Sequence, residues 1–346
     1  MFLFAPPAAN SLTGGYLYNQ FVADQLDAAA SVRYRWVRRQ HLPGLLRQLG
    51  AAAQPQAVVL DSLYFKTGPL AEPNWAARLP VVLLCHVLPW QFWPAAAGGK
   101  GLERYFAGID AIVTTSNASA EELRRLLVEH RLALPVVACP PGVDAARFSP
   151  VPAASVGAGN ATPEFLTVAN VLAEKGHLFL LEALAEVRSA PWYWRIVGDR
   201  DAEPATTQRL LARVAELGLQ ARVGMVGRLQ GAGLVAAYQQ ADVMVLATER
   251  ESYGMALLEA QACGLPVLVS DLMGPAEALG TDGGAIFVPV GDRAAWRREL
   301  RSLLTDRSRR AGLRSQALAM RSGLPTWRAT AEQLTRAVTR LSAGGS

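Results

Sequence analysis

Residues 248–271 read Thr248-Glu249-Arg250-Glu251-Ser252-Tyr253-Gly254-Met255-Ala256-Leu257-Leu258-Glu259-Ala260-Gln261-Ala262-Cys263-Gly264-Leu265-Pro266-Val267-Leu268-Val269-Ser270-Asp271. An apolar run at 243–247 leads into this stretch. The order is a strand, an acidic loop, a glycine at a helix start, an amphipathic helix, a Gly-x-Pro stop and a second strand. Glu251 falls in the loop, and Glu259 falls about one and a half turns into the helix. A helix start with a small first residue presents free backbone N–H groups and a positive dipole end, which suits a phosphate or a sugar hydroxyl. A carboxylate beside it can fix sugar hydroxyls through charge-assisted hydrogen bonds of about 1.5–3 kcal/mol each. Taken alone, Glu251 also reads as an ordinary acid in the first turn of a helix.

Outward from this segment, short apolar runs alternate with longer amphipathic ones, the pattern of parallel β/α units whose strands are covered on both faces. Strands are expected near 2–4, 57–60, 81–85, 111–115 and 136–139, and again near 165–169, 194–197, 223–226, 243–247, 267–270 and 285–288. The predicted class is therefore α/β, with two Rossmann-like, doubly wound domains. The small residues of 151–163 mark a linker between an N-terminal domain, 1–150, and a second domain, 164–323. Ser119-Ala120-Glu121-Glu122 reads as a capping box, and Glu174-Lys175-Gly176 opens another helix. In open α/β sheets ligands bind beyond the carboxyl ends of strands, and two facing sheets would leave a cleft between them.

Composition narrows the function classes. The chain has 346 residues, 51% of them apolar, which suits about two domains of roughly 150 residues with full cores. A net charge of +5, from 34 basic against 29 acidic residues, is far from a nucleic-acid-binding stripe and fits anionic small substrates. Only Lys66, Lys100 and Lys175 are lysines, so a lysine in a chemically suggestive place carries information. Cys85, Cys139 and Cys263 lack C-x-x-C spacing and lie in or beside apolar runs, as buried free thiols do. Pro6-Pro7 cut short the apolar start, so no signal peptide is evident, and three prolines interrupt the longest charge-free stretch, 79–99. A cytoplasmic enzyme is expected, with peripheral contact at the inner face of the membrane.

The 248–271 segment resembles the E-x7-E signature of the family-4 retaining glycosyltransferases, the group 1 glycosyltransferases, which have the GT-B fold of two facing Rossmann-like domains with an interdomain cleft. The resemblance covers nearly the whole chain. It extends to Gly14-Gly15, 81–86, Cys139-Pro140-Pro141-Gly142-Val143-Asp144, Phe148-Ser149-Pro150, 165–177, Ile196-Val197-Gly198-Asp199 and Val226-Gly227-Arg228. It implies a hexosyl transfer from a nucleotide-diphospho-sugar (UDP-, GDP- or ADP-sugar) to an acceptor hydroxyl, with retention through front-face attack and no obligatory metal or cofactor. The acceptor is a carbohydrate, a lipid-linked group or a small molecule.

The same resemblance implies residue roles. Glu251 is similar to the acid contacting the donor sugar, and Glu259 to the one holding the ribose. Lys175 falls where the family places a cation against the diphosphate, and Gly14-Gly15 resembles the glycine loop that lets backbone approach it. His86 occupies the slot of an active-site histidine. Gly227 and Arg228 would border the base, and Ser252, Tyr253, Gly254 and Met255 the sugar and phosphates. The family usually has arginine five residues before the lysine, whereas this chain has Asn170. Arg250 or Arg228 would have to supply the missing charge, because bond breaking builds negative charge on the diphosphate.

His86 also fits a core position between Cys85 and Val87, while His177 reads as structural and His41 and His130 as solvated. Asp199-Arg200-Asp201 spells D-x-D but sits where an Asp-rich turn is expected. In Val87-Leu88-Pro89-Trp90-Gln91-Phe92-Trp93-Pro94, the aromatics Trp90, Phe92 and Trp93 are candidates for stacking on an acceptor or a membrane interface, or for a local aromatic cluster. Helical spacing of Trp327, Ala331, Leu334, Ala337 and Leu341 marks a terminal helix in 324–346, expected to cross back to the N-terminal domain. Two alternatives stand beside the transferase: a non-catalytic nucleotide-sugar-binding protein, motivated by Asn170, and a nucleotide-sugar epimerase on the same fold.

Overall fold

A computed structural model of the chain describes residues 2–6, 13–27, 33–51, 57–65, 79–92, 99–151 and 162–343. It divides into two compact units, Met1–Gly142 together with Pro325–Ser346, and Val143–Leu324.

In the first unit the strands β1 (Phe2–Ala5), β2 (Arg33–Trp36), β3 (Val58–Asp61), β4 (Val81–Cys85), β5 (Ala111–Thr114) and β6 (Val136–Ala138) form a parallel sheet in the order β2-β1-β3-β4-β5-β6. Its helices are α1 (Gly14–Asp27), α2 (Leu42–Gly50), α3 (Pro89–Phe92), α4 (Gly99–Tyr105) and α5 (Asn117–Glu129). The strand order reverses between β1 and β3, the kind of position at whose carboxyl ends open parallel sheets bind ligands. Every residue of β3 and β4 is buried, as expected of interior parallel strands. β2 lies outside the predicted strands. Its sequence, Arg-Tyr-Arg-Trp, is that of an edge strand with charges on alternate positions, so it lacks the continuous apolar run that flags the others. The cap of α5 also differs from the expected box. Ser116 is the N-cap, its Oγ accepting from the Ser119 N–H at 3.0 Å, because the chain turns directly out of β5.

In the second unit β7 (Glu164–Val168), β8 (Tyr193–Val197), β9 (Val223–Gly227), β10 (Val243–Leu246), β11 (Val267–Ser270) and β12 (Ala285–Val288) form a parallel sheet in the order β12-β11-β10-β7-β8-β9. The helices are α6 (His177–Ala185), α7 (Pro204–Glu216), α8 (Gly231–Gln240), α9 (Met255–Ala262), α10 (Met273–Leu279), α11 (Arg293–Thr305) and α12 (Arg307–Met320). Side chains alternate across β10: Val243 and Val245 enter one apolar core, Met244 and Leu246 the other. Helices therefore cover both faces, and each buried aliphatic side chain contributes roughly 1.5–3 kcal/mol. The order reverses between β7 and β10, so the loops after these two strands flank the crevice.

The last helix, α13 (Trp327–Ala343), belongs to the first unit. Trp327 stacks on Phe21 at 4.8 Å and meets Tyr18 edge-on at 5.7 Å, both residues of α1. Thr330 Oγ1 donates to the Pro140 carbonyl at 2.9 Å and Gln333 Nε2 to that of Ala138 at 2.8 Å, so α13 satisfies backbone acceptors at the end of β6. Packing divides the chain at Gly142, because Val143 and Phe148 are buried in a core of the second unit. Most of the expected linker, 152–161, lies outside the described residues. Among the described residues no helix is long and apolar enough to cross a membrane.

Candidate active site

The loops leaving β7 and β10 are tied together before any ligand is considered. After β7 the chain makes a 3-10 turn, Ala173–Lys175, and reaches Gly176 at φ +69°, a conformation that side chains disfavour. A Cβ on Gly176 would lie 1.9 Å from the Ala247 carbonyl oxygen, so only glycine lets the two loops approach. The Glu249 N–H donates to the Glu174 carbonyl at 2.8 Å. The Thr248 hydroxyl lies 3.1 Å from that same carbonyl and 2.7 Å from that of Arg250.

This scaffold brings Lys175 and Glu251 together. Lys175 Nζ donates to Glu251 Oε2 at 2.9 Å and to the Arg250 carbonyl at 3.3 Å. Both side chains are about one-fifth exposed (18% and 20%), so the pair is sheltered yet reachable. Burial alone would lower the Lys175 pKa, but the charge and hydrogen bond of Glu251 together with the Glu174 charge outweigh it and hold the ammonium above its ordinary value. Close by in sequence, Gly254 caps α9 at φ +108°, and the first N–H groups of that helix have no intrahelical acceptor. Ser252 and Met255 are half-buried, whereas the Tyr253 ring is part of the core beneath the loop, which leaves its backbone for a ligand. The Arg250 side chain points to solvent.

Three neighbouring strand ends form a second cluster. The Asn170 side-chain oxygen, just after β7, accepts from the Asp199 N–H at 3.0 Å. Asp199, after β8, pairs with the Arg228 guanidinium after β9 and accepts from the Asp201 N–H at 2.9 Å. The D-x-D sequence is thus a turn locked to an arginine. Among the described residues no group of three or more His, Cys, Asp or Glu side chains is arranged to hold a metal. Gly227, in β9, lies beside this pair at φ +75°.

Glu259 lies one turn inside α9 and accepts from the Tyr238 hydroxyl of α8 at 2.7 Å. Burial pushes its carboxyl up to about 7, against the opposing pull of the Tyr238 hydrogen bond and the Arg147 charge. His177 is buried at the start of α6, stacked on Trp194 at 6.2 Å, and burial pushes it down to about 4. It is a neutral core histidine. Burial pushes the Cys85, Cys139 and Cys263 thiols up to about 12, which removes them as nucleophiles near neutral pH.

In the first unit His86, just past β4, is 7% exposed. Gly15, in the first turn of α1, lies against its ring: a Cβ there would be 3.0 Å from His86 Cδ2. Gly14 opens the same helix. Two residues that the sequence reading missed complete the cluster. His86 Nε2 lies 3.2 Å from Asn19 Oδ1 and 3.4 Å from Asp61 Oδ2, and both partners are fully buried. The available signal was a charge closing the apolar run 58–61, but its meaning depends on β3 and β4 being neighbours. Trp90, on α3, is half-buried against the apolar core of this unit. Trp93 and the side chain of Phe92 lie outside the described residues.

Comparisons with known proteins agree with this architecture. The family described as "Glycosyl transferases group 1" matches residues 154–320. A D-inositol 3-phosphate glycosyltransferase of Xylanimonas cellulosilytica is 31% identical over 302 residues, covering 80% of this chain and 70% of the relative. Another, of Stackebrandtia nassauensis, is 30% identical over 316 residues, 84% of this chain and 70% of that one. The match with the Kineococcus radiotolerans enzyme of the same name, at 32% identity, spans 67% of this chain and 57% of the relative. Among solved structures, sucrose-phosphate synthase from Thermosynechococcus elongatus superimposes with a TM-score of 0.77 at 20% identity, covering 99% of each chain. Anabaena HepE, solved with UDP and glucose, superimposes with a TM-score of 0.76 at 17% identity, over 98% of this chain and 99% of that one. These likenesses show the GT-B fold. With two such sheets, the tied Lys175–Glu251 loops and relatives above 30% identity over most of its length, the chain belongs to the group 1 glycosyltransferases.

Proposed function

We propose that the protein transfers a hexosyl group from a nucleotide-diphospho-sugar to an acceptor hydroxyl with retention of anomeric configuration. The observation that carries this reading is the Lys175–Glu251 pair, held at 2.9 Å on two mutually pinned loops at the strand-order reversal of the second sheet. Across that contact each charge answers the other. An arriving diphosphate offers Lys175 a stronger anion, and Glu251 is then released to accept hydrogen bonds from the hydroxyls of the sugar.

The first-turn N–H groups of α9 add positive potential at the phosphates, and Glu259 accepts from the ribose hydroxyls. As the anomeric C–O bond breaks, its electron pair goes to the diphosphate, where Lys175 and the helix dipole stabilise it. The acceptor oxygen bonds on the same face, and its proton leaves with the departing phosphate oxygen. Asn170 brings no charge to the diphosphate, so Arg250 or Arg228 supplies the cation that the family usually has there. His86, Gly14 and Gly15 serve the transferred sugar and the diphosphate from the first unit, and Trp90, Phe92 and Trp93 the acceptor. The donor is a UDP-, GDP- or ADP-sugar, and the protein works in the cytoplasm, with peripheral membrane contact. The acceptors named for the relatives support testing inositol phosphates first.

A thermal-shift screen with UDP-, GDP- and ADP-sugars, followed by acceptor-dependent release of nucleoside diphosphate, tests the proposal. A stabilising donor that releases its nucleotide only with acceptor supports it. Tight donor binding without turnover on any acceptor would favour a binding protein, and sugar isomerisation without release an epimerase.

A further inference from the structure

Asp61 and Asn19 have no part in the reading above, yet their hydrogen-bond polarity can be worked out atom by atom. Asp61 Oδ1 accepts from the Leu63 N–H at 2.6 Å, and Oδ2 faces both Asn19 Nδ2 and His86 Nε2. A carboxylate only accepts, so the Asn19 group turned toward it is the amide NH2. That leaves Oδ1 of Asn19 as the atom 3.2 Å from His86 Nε2. Both neighbours of Nε2 are then acceptors, and only a proton on Nε2 satisfies them. Packing holds the ring in this pose, with Tyr18 edge-on at 5.2 Å and Gly15 against Cγ and Cδ2. Among the described residues nothing bonds to Nδ1.

We infer that Asp61 and Asn19 are positioning residues that hold His86 as its Nε2–H tautomer, leaving Nδ1 as a hydrogen-bond acceptor for a hydroxyl of the bound sugar or acceptor. The ligand-facing half of this inference rests on the proposed function; the tautomer does not. A histidine whose far nitrogen is tied to a carboxylate has both its orientation and its tautomer fixed. The opposite polarity, with a protonated Asp61 donating toward Nε2, requires the Nδ1–H tautomer instead.

Long-range proton–nitrogen correlation on histidine-labelled full-length protein at pH 8 reads the tautomer directly. The chain has four histidines, and the spectrum of His86→Gln identifies the signal. The expected result is a pyrrole-type Nε2 and a pyridine-type Nδ1 in the wild type, and a mixture of tautomers in Asp61→Asn. Turnover of Asp61→Asn should fall about 10–100-fold with the donor KM unchanged. A wild-type Nδ1–H signal, or an Asp61→Asn variant with both the original tautomer and the original turnover, would overturn the inference. If Asp61→Asn does not fold, Asn19→Leu is read the same way. Wild-type turnover in His86→Gln would overturn the active-site role of His86, and the wild-type spectrum would still decide what Asp61 and Asn19 do.

Discussion

Glu259 carries opposing demands on one carboxyl group. Its pKa is raised from 4.5 to about 7, so between those values the folded protein binds a proton that the unfolded chain has released. Its stability contribution is fully present below pH 4.5 and is lost as pH rises through about 7. Glu259→Gln removes that penalty while keeping a partner for Tyr238. Its melting temperature should exceed that of the wild type by a margin that grows from pH 5 to pH 8. Donor binding should behave oppositely: titration calorimetry should show wild-type affinity tightening as pH rises through 7, and a weaker, pH-independent affinity in Glu259→Gln. His177 has the reverse sign. Its pKa is lowered to about 4, so its contribution is present above pH 6.5 and is lost as pH falls through 4. His177→Leu should therefore flatten acid unfolding in that window. At this scale the sequence exposes what spacing encodes. Glu251, Glu259 and Lys175 stand out through their intervals and the rarity of lysine, whereas Asp61 and Asn19, 42 residues apart, acquire meaning only when β3, β4 and α1 converge.

At the scale of elements, the loops after β7 and β10 form one unit, because the chain crosses itself at Gly176. Gly176→Ala forces both a strained φ and a clash with the Ala247 carbonyl. It should cost about 1–3 kcal/mol in chemical denaturation, and it should lower donor affinity by displacing Lys175. Strands are legible in the sequence where they are buried on both faces and read as apolar runs, as in β3, β4, β10 and β11. β2 is not, because Arg33 and Arg35 break the apolar run in its sequence. The cap of α5 is misread because Ser116 and Ser119 both suit the role by type, and it is Ser116, extended and directly after β5, whose hydroxyl accepts from the Ser119 N–H.

At the scale of the whole molecule, the alternation of runs reveals two sheets but not the point where packing divides the chain. Low-complexity residues mark 151–163, while the second core already includes Val143 and Phe148. A protein of residues 143–324 should therefore melt at a higher temperature than one of residues 151–324. On the proposed function it should bind nucleoside diphosphate without transferring sugar, because it lacks His86 and Gly15. Removing 325–346 should destabilise the first unit through loss of the Trp327 stack on Phe21 and the Thr330 and Gln333 hydrogen bonds. Aggregation of that truncated protein on mild heating would register the exposed face of α1.

The central claim is that the ammonium and carboxylate held 2.9 Å apart on the loops after β7 and β10 grip the diphosphate and the hexose. Single-turnover kinetics of Lys175→Met on the cognate nucleotide-sugar tests it most directly. The account predicts a fall of about 100-fold or more in the transfer rate, with the fold intact by circular dichroism. A rate within a few-fold of wild type would contradict it.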